Sequence, residues 1–306
     1  MYGIEATPME DSLVEMLEEN HRQNAQLIQN LPSRTPKPAG AALLGWQSIS
    51  SFIAYLKIMF MIRVLCLQPN SLYKRLMIAG IENHNMYGVR RYLTPVDDIM
   101  RYVKQYGVSD IVRRCQHHGT WKMVEGVKRK IKLTVLKCDE NLWRASCMLY
   151  RSLNLYHKHV VYKKMNVWWR FVAKNPGAFR SVSCVVSLIC GSQPNGYGAN
   201  FGSRKRCQIC DGFVVETMEH IVFNCTALED VRATALHELL DSMPRAMKMS
   251  FCELPTESKL EFILTGLGSD NYIEDWSNVY SKACRLIYKL YRERAALYKR
   301  LGVILD

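Results

Sequence analysis

Helical spacing of apolar residues along almost the whole chain is the feature that most narrows the fold. A strand alternates apolar and polar residues, whereas a helix returns its apolar side every three or four residues. Behind Ser12, read as an N-cap, Leu13, Met16, Leu17, Leu27, Ile28 and Leu31 recur near helical spacing. Pro32, Pro36 and Pro38 then end the run, because proline removes a donor and crowds the preceding turn. A second apolar helix is expected over about 50–67. Thr94-Pro95 joins a capping hydroxyl to a first-turn proline and opens a helix that Gly107 stops. Ser109 begins another, reaching about His118. Thr120 opens one with Trp121, Val124, Ile131 and Val135 on one side and Lys128, Arg129, Lys130 and Lys132 around the rest. Thr256 is read as the cap of a helix through Leu264, closed by Gly268. Trp276, Tyr280, Ala283, Ile287, Leu290, Leu297 and Leu301 line a last helix that Gly302 ends. Residues 181–190 alone read as either a strand or a buried helix. The expectation is an all-α chain of helical bundle segments.

Composition narrows the class further. At 48% apolar and 23% charged residues, the 306-residue chain has enough apolar side chains for a core. The longest apolar stretch, Phe52 to Leu67, contains Lys57 and Arg63, so no membrane span is expected. The acidic first nineteen residues lack the apolar centre of a secretory signal. Eleven cysteines without such a signal point to a reducing compartment, nuclear or cytoplasmic, where clustered cysteines hold metal more often than disulfides. The formal charge of +13 is unevenly distributed. Residues 101–210 hold 21 Lys/Arg against 4 Asp/Glu, more than the whole excess. Such a concentration suits a polyanionic partner, RNA or DNA.

One cluster carries specific chemistry. Cys207-x2-Cys210 is followed, after nine residues, by His220-x4-Cys225. Two cysteines three positions apart can place both thiolates on one cation through a tight turn. A His and a Cys five apart can reach back from the start of a following helix, for which Thr217 is an N-cap candidate. Three thiolates and one imidazole make a closed tetrahedral set, the ligand chemistry of one structural zinc. The other eight cysteines lack comparable spacing and read as small buried hydrophobes. Arg204, Lys205 and Arg206 abut the first ligand and are the first-choice phosphate contacts. Lys128, Arg129, Lys130, Lys163 and Lys164 are further candidates. Aromatic residues interleave with the basic ones at Tyr156, Tyr162, Trp168, Trp169 and Phe171. They can stack unpaired bases or form core, and core is favoured for the two tryptophans.

The segments Arg206-Cys-Gln-Ile-Cys210 and Glu216-Thr-Met-Glu-His-Ile-Val-Phe-Asn-Cys225 resemble the zinc-binding segment near the C-terminus of LINE-type non-LTR retrotransposon reverse transcriptases. Other short patterns agree in order: Tyr2-Gly3-Ile4-Glu5, Leu44 to Ile49, Thr94 to Ile99, Gly119-Thr-Trp121-Lys122, Trp143-Arg144 and Tyr291-Arg-Glu-Arg294. The resemblance implies three parts. These are a thumb-like helical segment over 1–85, a basic helical linker over 86–200, and a zinc knuckle with C-terminal helices over 201–306. It implies a module that holds RNA or an RNA–DNA hybrid, with an upstream polymerase domain as a further partner.

No catalytic constellation accompanies these features. Polymerase chemistry needs an aromatic-x-Asp-Asp hairpin, and the one Asp-Asp pair, Asp97-Asp98, falls in the first turn of an expected helix, where acids favour the dipole. Replacing both acids is expected to lower stability only modestly. His237-Glu238-Leu-Leu-Asp241 lacks the second histidine of a zinc-protease helix. Gly196-x-Gly198 follows no clear strand and reads as a loop. The expectation is a non-enzymatic nucleic-acid-binding module. The alternative is a non-catalytic protein–protein scaffold or an inert truncated retroelement relic.

Overall fold

The structure is a computed structural model that describes residues 3–88, 93–192, 206–210, 214–265 and 276–302. Arg204, Lys205, Gly196, Gly198 and Gly268 lie outside the described residues. In chain order the helices are α1 (Asp11–Ile28), α2 (Gly40–Leu43), α3 (Ile49–Leu65), α4 (Leu72–Tyr87), α5 (Pro95–Gln105), α6 (Ser109–His118), α7 (Trp121–Met148), α8 (Asn154–His159), α9 (Val167–Lys174), α10 (Phe179–Ile189), α11 (Glu229–Ser242), α12 (Arg245–Glu253), α13 (Thr256–Leu264) and α14 (Ser277–Arg300). Among the described residues the extended pairing is a single antiparallel bridge, Arg206 with Val215. The fold is all-α, as the periodicity predicts. Residues 181–190 are helical. Val182, Val185, Val186 and Ile189 recur at helical spacing and are buried, together with Ser183 and Ser187. Among the described residues, no helix is long and apolar enough to cross a membrane.

Two local starts differ from expectation. α1 begins at Asp11, so Ser12 lies inside it, and α13 begins at Thr256 behind Pro255, with no side-chain cap. Compactness also divides the chain differently from the three sequence segments. One unit comprises Met1–Arg22 and Gln47–Ala145; the other comprises Gln23–Trp46 and Ser146–Asp306. Charge and periodicity cannot detect that residues 23–46 pack with a segment a hundred positions later.

In the first unit α3 is the buried centre, with Ile53, Ala54, Ile58, Met61, Ile62 and Leu65 all at 0% exposure. Ser48 caps it by accepting from the Ser51 amide, and Asp139 of α7 accepts from both serine hydroxyls at 2.8 Å. Thr94 and Asp97 form a reciprocal capping box at the start of α5, and His84 Nδ1 lies 2.7 Å from Asp97. Burial works to raise the Asp97 carboxyl, but the hydrogen bonds from Thr94 and His84 outweigh it and hold it below the usual carboxylate range. Asp98 does more than favour the helix dipole. It is fully buried and accepts from Lys57 Nζ at 2.6 Å, Arg101 at 2.7 Å and the Met9 amide at 3.0 Å. Lys57 is itself 1% exposed. Removing Asp98 strands a buried ammonium, so the loss is about 3–5 kcal/mol rather than modest. Trp121 also departs from expectation: Val124, Ile131 and Val135 are buried, but Trp121 is 64% exposed.

In the second unit α14 packs between α10 and α11. Its N-terminal half buries Tyr280, Ala283, Ile287 and Leu290 as predicted. Its C-terminal half buries Tyr291, Arg294 and Tyr298, while Leu301 is 56% exposed, so the seam turns polar. Of the five aromatic residues offered as base-stacking surfaces, Tyr156, Trp168, Trp169 and Phe171 are core and Tyr162 is half-buried. Trp168 donates its indole N–H to the Leu264 carbonyl at 2.7 Å and meets Tyr280 edge-on at 5.3 Å. Trp169 donates to Gln29 Oε1 at 2.7 Å, and buried Tyr156 donates its hydroxyl to the Ala39 carbonyl at 2.7 Å. Phe171 is buried against Tyr280. Gly45, at φ 73°, lets the chain pass the backbone of Met165; a Cβ there would lie 2.6 Å from the Met165 nitrogen. Of the eight cysteines outside the cluster, Cys66, Cys115, Cys147, Cys190 and Cys284 are buried. Cys138 and Cys184 are half-buried, and Cys252 is exposed, contrary to the reading of all eight as buried hydrophobes.

Candidate metal centre

The Arg206–Val215 bridge brings the two ends of the Cys207 turn together, and the Cys207 amide donates to the Val214 carbonyl at 2.9 Å. Thr217 follows two residues after the bridge and caps the next turn, accepting from the His220 amide at 3.0 Å. From His220 to Asn224 the backbone is a π-helical turn, closed by the Cys225 amide donating to the His220 carbonyl at 2.7 Å. The x4 spacing has its physical origin here. An i→i+5 bond places the two ligands at opposite ends of one widened turn, rather than on an α-helix.

The four ligand atoms all lie within 4.8 Å of one another. Cys207 Sγ is 3.9 Å from Cys225 Sγ, and Cys210 Sγ is 3.4 Å from His220 Nε2. A tetrahedral ion with metal–sulfur bonds of about 2.3 Å and a metal–nitrogen bond of about 2.0 Å sets these separations at about 3.8 and about 3.5 Å. The side chains therefore fit one cation, and they are mostly buried, as a site closed to solvent requires. Burial pushes the His220 imidazole down, toward the neutral form that ligates metal. The hydrogen bond between Cys207 and Cys225 pushes the first thiol up and holds the second down.

A second layer of charge holds this turn in place. Glu216, one residue before the Thr217 cap, is 2% exposed and receives Arg294 Nε at 2.8 Å and Nη2 at 2.6 Å. Tyr298 donates its hydroxyl to the same carboxylate at 2.9 Å and accepts from the Gln208 amide, between the first two ligands, at 3.3 Å. Arg232 donates to the Cys225 carbonyl at 2.8 Å and pairs with Glu229. Both sides of the ligand turn are thus tied to helices of the second unit, Glu216 and Gln208 to α14 and Cys225 to α11. Glu216 and Arg294 each sit in a quoted sequence pattern, but nothing in the sequence joins residues 78 positions apart.

The basic candidates divide between the two units. Lys128, Arg129 and Lys130 are exposed on α7 in the first, with Lys128 Nζ 3.7 Å from Glu125. Lys163 and Lys164 are exposed between α8 and α9 in the second, as is Arg206 beside Cys207. Comparison with models of known protein families, with curated proteins and with solved structures finds no match to this chain.

Proposed function

We propose that the chain is a zinc-containing nucleic-acid-binding module. It is similar to the C-terminal part of a LINE-type reverse transcriptase and holds RNA or an RNA–DNA hybrid without a polymerase site of its own. The observation that carries this reading is the convergence of the Cys207, Cys210, His220 and Cys225 ligand atoms to within 4.8 Å of one another. Three thiolates select zinc among common divalent ions, and four protein ligands leave no open position, so the ion's contribution is to fold the knuckle. The surplus of 17 positive charges over residues 101–210, with Arg206 exposed beside a ligand, supports a polyanionic partner. On this reading the module works beside an upstream polymerase domain in a reducing compartment, nuclear or cytoplasmic.

Elemental analysis of purified, reduced protein should give close to one zinc per chain, and Cys225→Ser or His220→Ala should abolish its retention. Absence of metal, or full retention in both variants, would overturn the metal assignment. Binding to RNA should weaken steeply with salt. Changing Arg204, Lys205 and Arg206 together to Ala should shallow the slope by roughly two to three units. The scaffold alternative has its own support in α4, where Leu72, Tyr73, Leu76 and Met86 are each 60–71% exposed. Failure of the zinc-loaded protein to bind any nucleic acid would favour that alternative.

A further inference from the structure

Trp168 and Trp169 are buried in the core, as favoured from the sequence, yet one tryptophan stands in solvent. We propose that the corner between α6 and α7 binds single-stranded nucleic acid, with an unpaired base stacked on the Trp121 indole and its phosphates on the surrounding cations. The inference rests on the nucleic-acid reading above and locates the contact.

Three observations carry it. All six tryptophans lie in the described residues, and Trp121 alone is classed as exposed, at 64%. Its neighbours along the chain are mostly cationic: residues 109–130 hold six Lys/Arg against two Asp/Glu, Arg113, Arg114, His117, His118 and Lys122 are exposed, and the nearer acid, Glu125, pairs with Lys128 at 3.7 Å. At 100° per residue, Lys128 and Lys132 extend the stripe begun by Trp121 along α7, and Arg129 lies beside Lys122. A protein partner that buried this ring would also bury several charges, whereas each nucleotide offers one aromatic face and one phosphate. Finally, the corner is pre-formed. A Cβ on Gly119 would lie 2.2 Å from the Cys115 carbonyl and 2.8 Å from that of Leu65, so the backbone turns directly against the end of α3. Buried Val124 and Ile131 then anchor the first turns of α7. Presenting the ring on packed helices reduces the ordering cost of binding.

The test uses the full chain with labelled oligo-uridine, oligo-thymidine and a duplex DNA of equal length, followed by fluorescence anisotropy. Trp121→Ala should weaken single-strand binding about 5- to 150-fold and leave duplex binding almost unchanged, because paired bases are already stacked. Trp121→Phe should retain most of the affinity. Single strands should quench tryptophan emission in the wild type and not in Trp121→Phe, a readout that stands even if the alanine variant folds poorly. The two single-stranded probes report whether the ribose 2′-hydroxyl contributes. If the wild type binds but Trp121→Ala binds single strands equally well, or if duplex affinity falls in step, the site is wrong and the broader reading survives. If the wild type binds none of the three, both fall.

Discussion

The buried pair between Glu216 and Arg294 offers the sharpest test of how the metal-centre turn is held. Each residue is 2% exposed, and the guanidinium has the Glu216 carboxylate as its bidentate partner. Glu216→Gln removes the counter-charge from a desolvated arginine. Loss of one member of such a pair costs about 3–5 kcal/mol, a third or more of the stability of many domains. Arg294→Met strands the carboxylate instead, at a similar cost. The double variant Glu216→Leu with Arg294→Met strands neither charge. Its remaining debt is the Tyr298 hydroxyl, which loses its acceptor and costs about 1–3 kcal/mol. The singles should therefore sum to about 6–10 kcal/mol while the double stays near its smaller figure, a coupling of at least about 3 kcal/mol. Urea titrations followed by circular dichroism measure each variant, provided the denaturant slope stays constant. Singles that cost under about 1 kcal/mol, or a double equal to their sum, would refute the claim that this pair is desolvated and mutually dependent.

Trp168→Ala should cost about 3–5 kcal/mol, since it opens a cavity beside Tyr280 and frees the Leu264 carbonyl, and a thermal melt within a degree or two of wild type would contradict a core role. Gly45→Ala should destabilise by at least about 1–2 kcal/mol, because the left-handed backbone and the Met165 backbone both resist a Cβ; an unchanged denaturation midpoint would show that the turn adapts freely. Asp97 sits below its unfolded value of about 3.9. Its contribution is complete above that pH and is lost as pH falls through the folded-state value. The stability gap between wild type and Asp97→Asn should accordingly narrow from pH 5 to pH 3, and a pH-independent gap would discount the capping-box carboxylate.

Local chemistry made much of this molecule readable in advance. Thr94-Pro95, Gly107 and Gly302 mark helix ends because capping and left-handed backbone are properties of single residues and short spacings. Cys207, Cys210, His220 and Cys225 converge as their spacing implies, since one turn and one bridge suffice to gather them. The unread parts depend on distance along the chain. Asp98 looks like an ordinary first-turn acid until Lys57, forty-one positions earlier, is seen against it. Leu297 and Leu301 fit the helical period, but Tyr298 and Arg294 occupy the buried side because Glu216 waits there. Trp121 precedes the buried Val124, Ile131 and Val135, but at 100° per residue it shares its stripe with the exposed Lys128 and Lys132.

The interleaving of the two units has a consequence for synthesis. Residues 23–46 emerge early, but the groups they bond to emerge more than a hundred positions later: Asn166 donates to Leu43, Trp169 to Gln29, and Tyr156 to Ala39. On a ribosome adding about 5–20 residues each second, this segment spends several seconds with its partners unmade, while the first unit can close once α7 is out. Non-local closure of this kind slows folding and lengthens exposure of apolar surface such as Leu31, Ala42 and Leu43 in the nascent chain. A shortened chain starting near residue 146 would retain all four metal-ligating side chains and lose the floor on which Trp169 and Tyr156 rest.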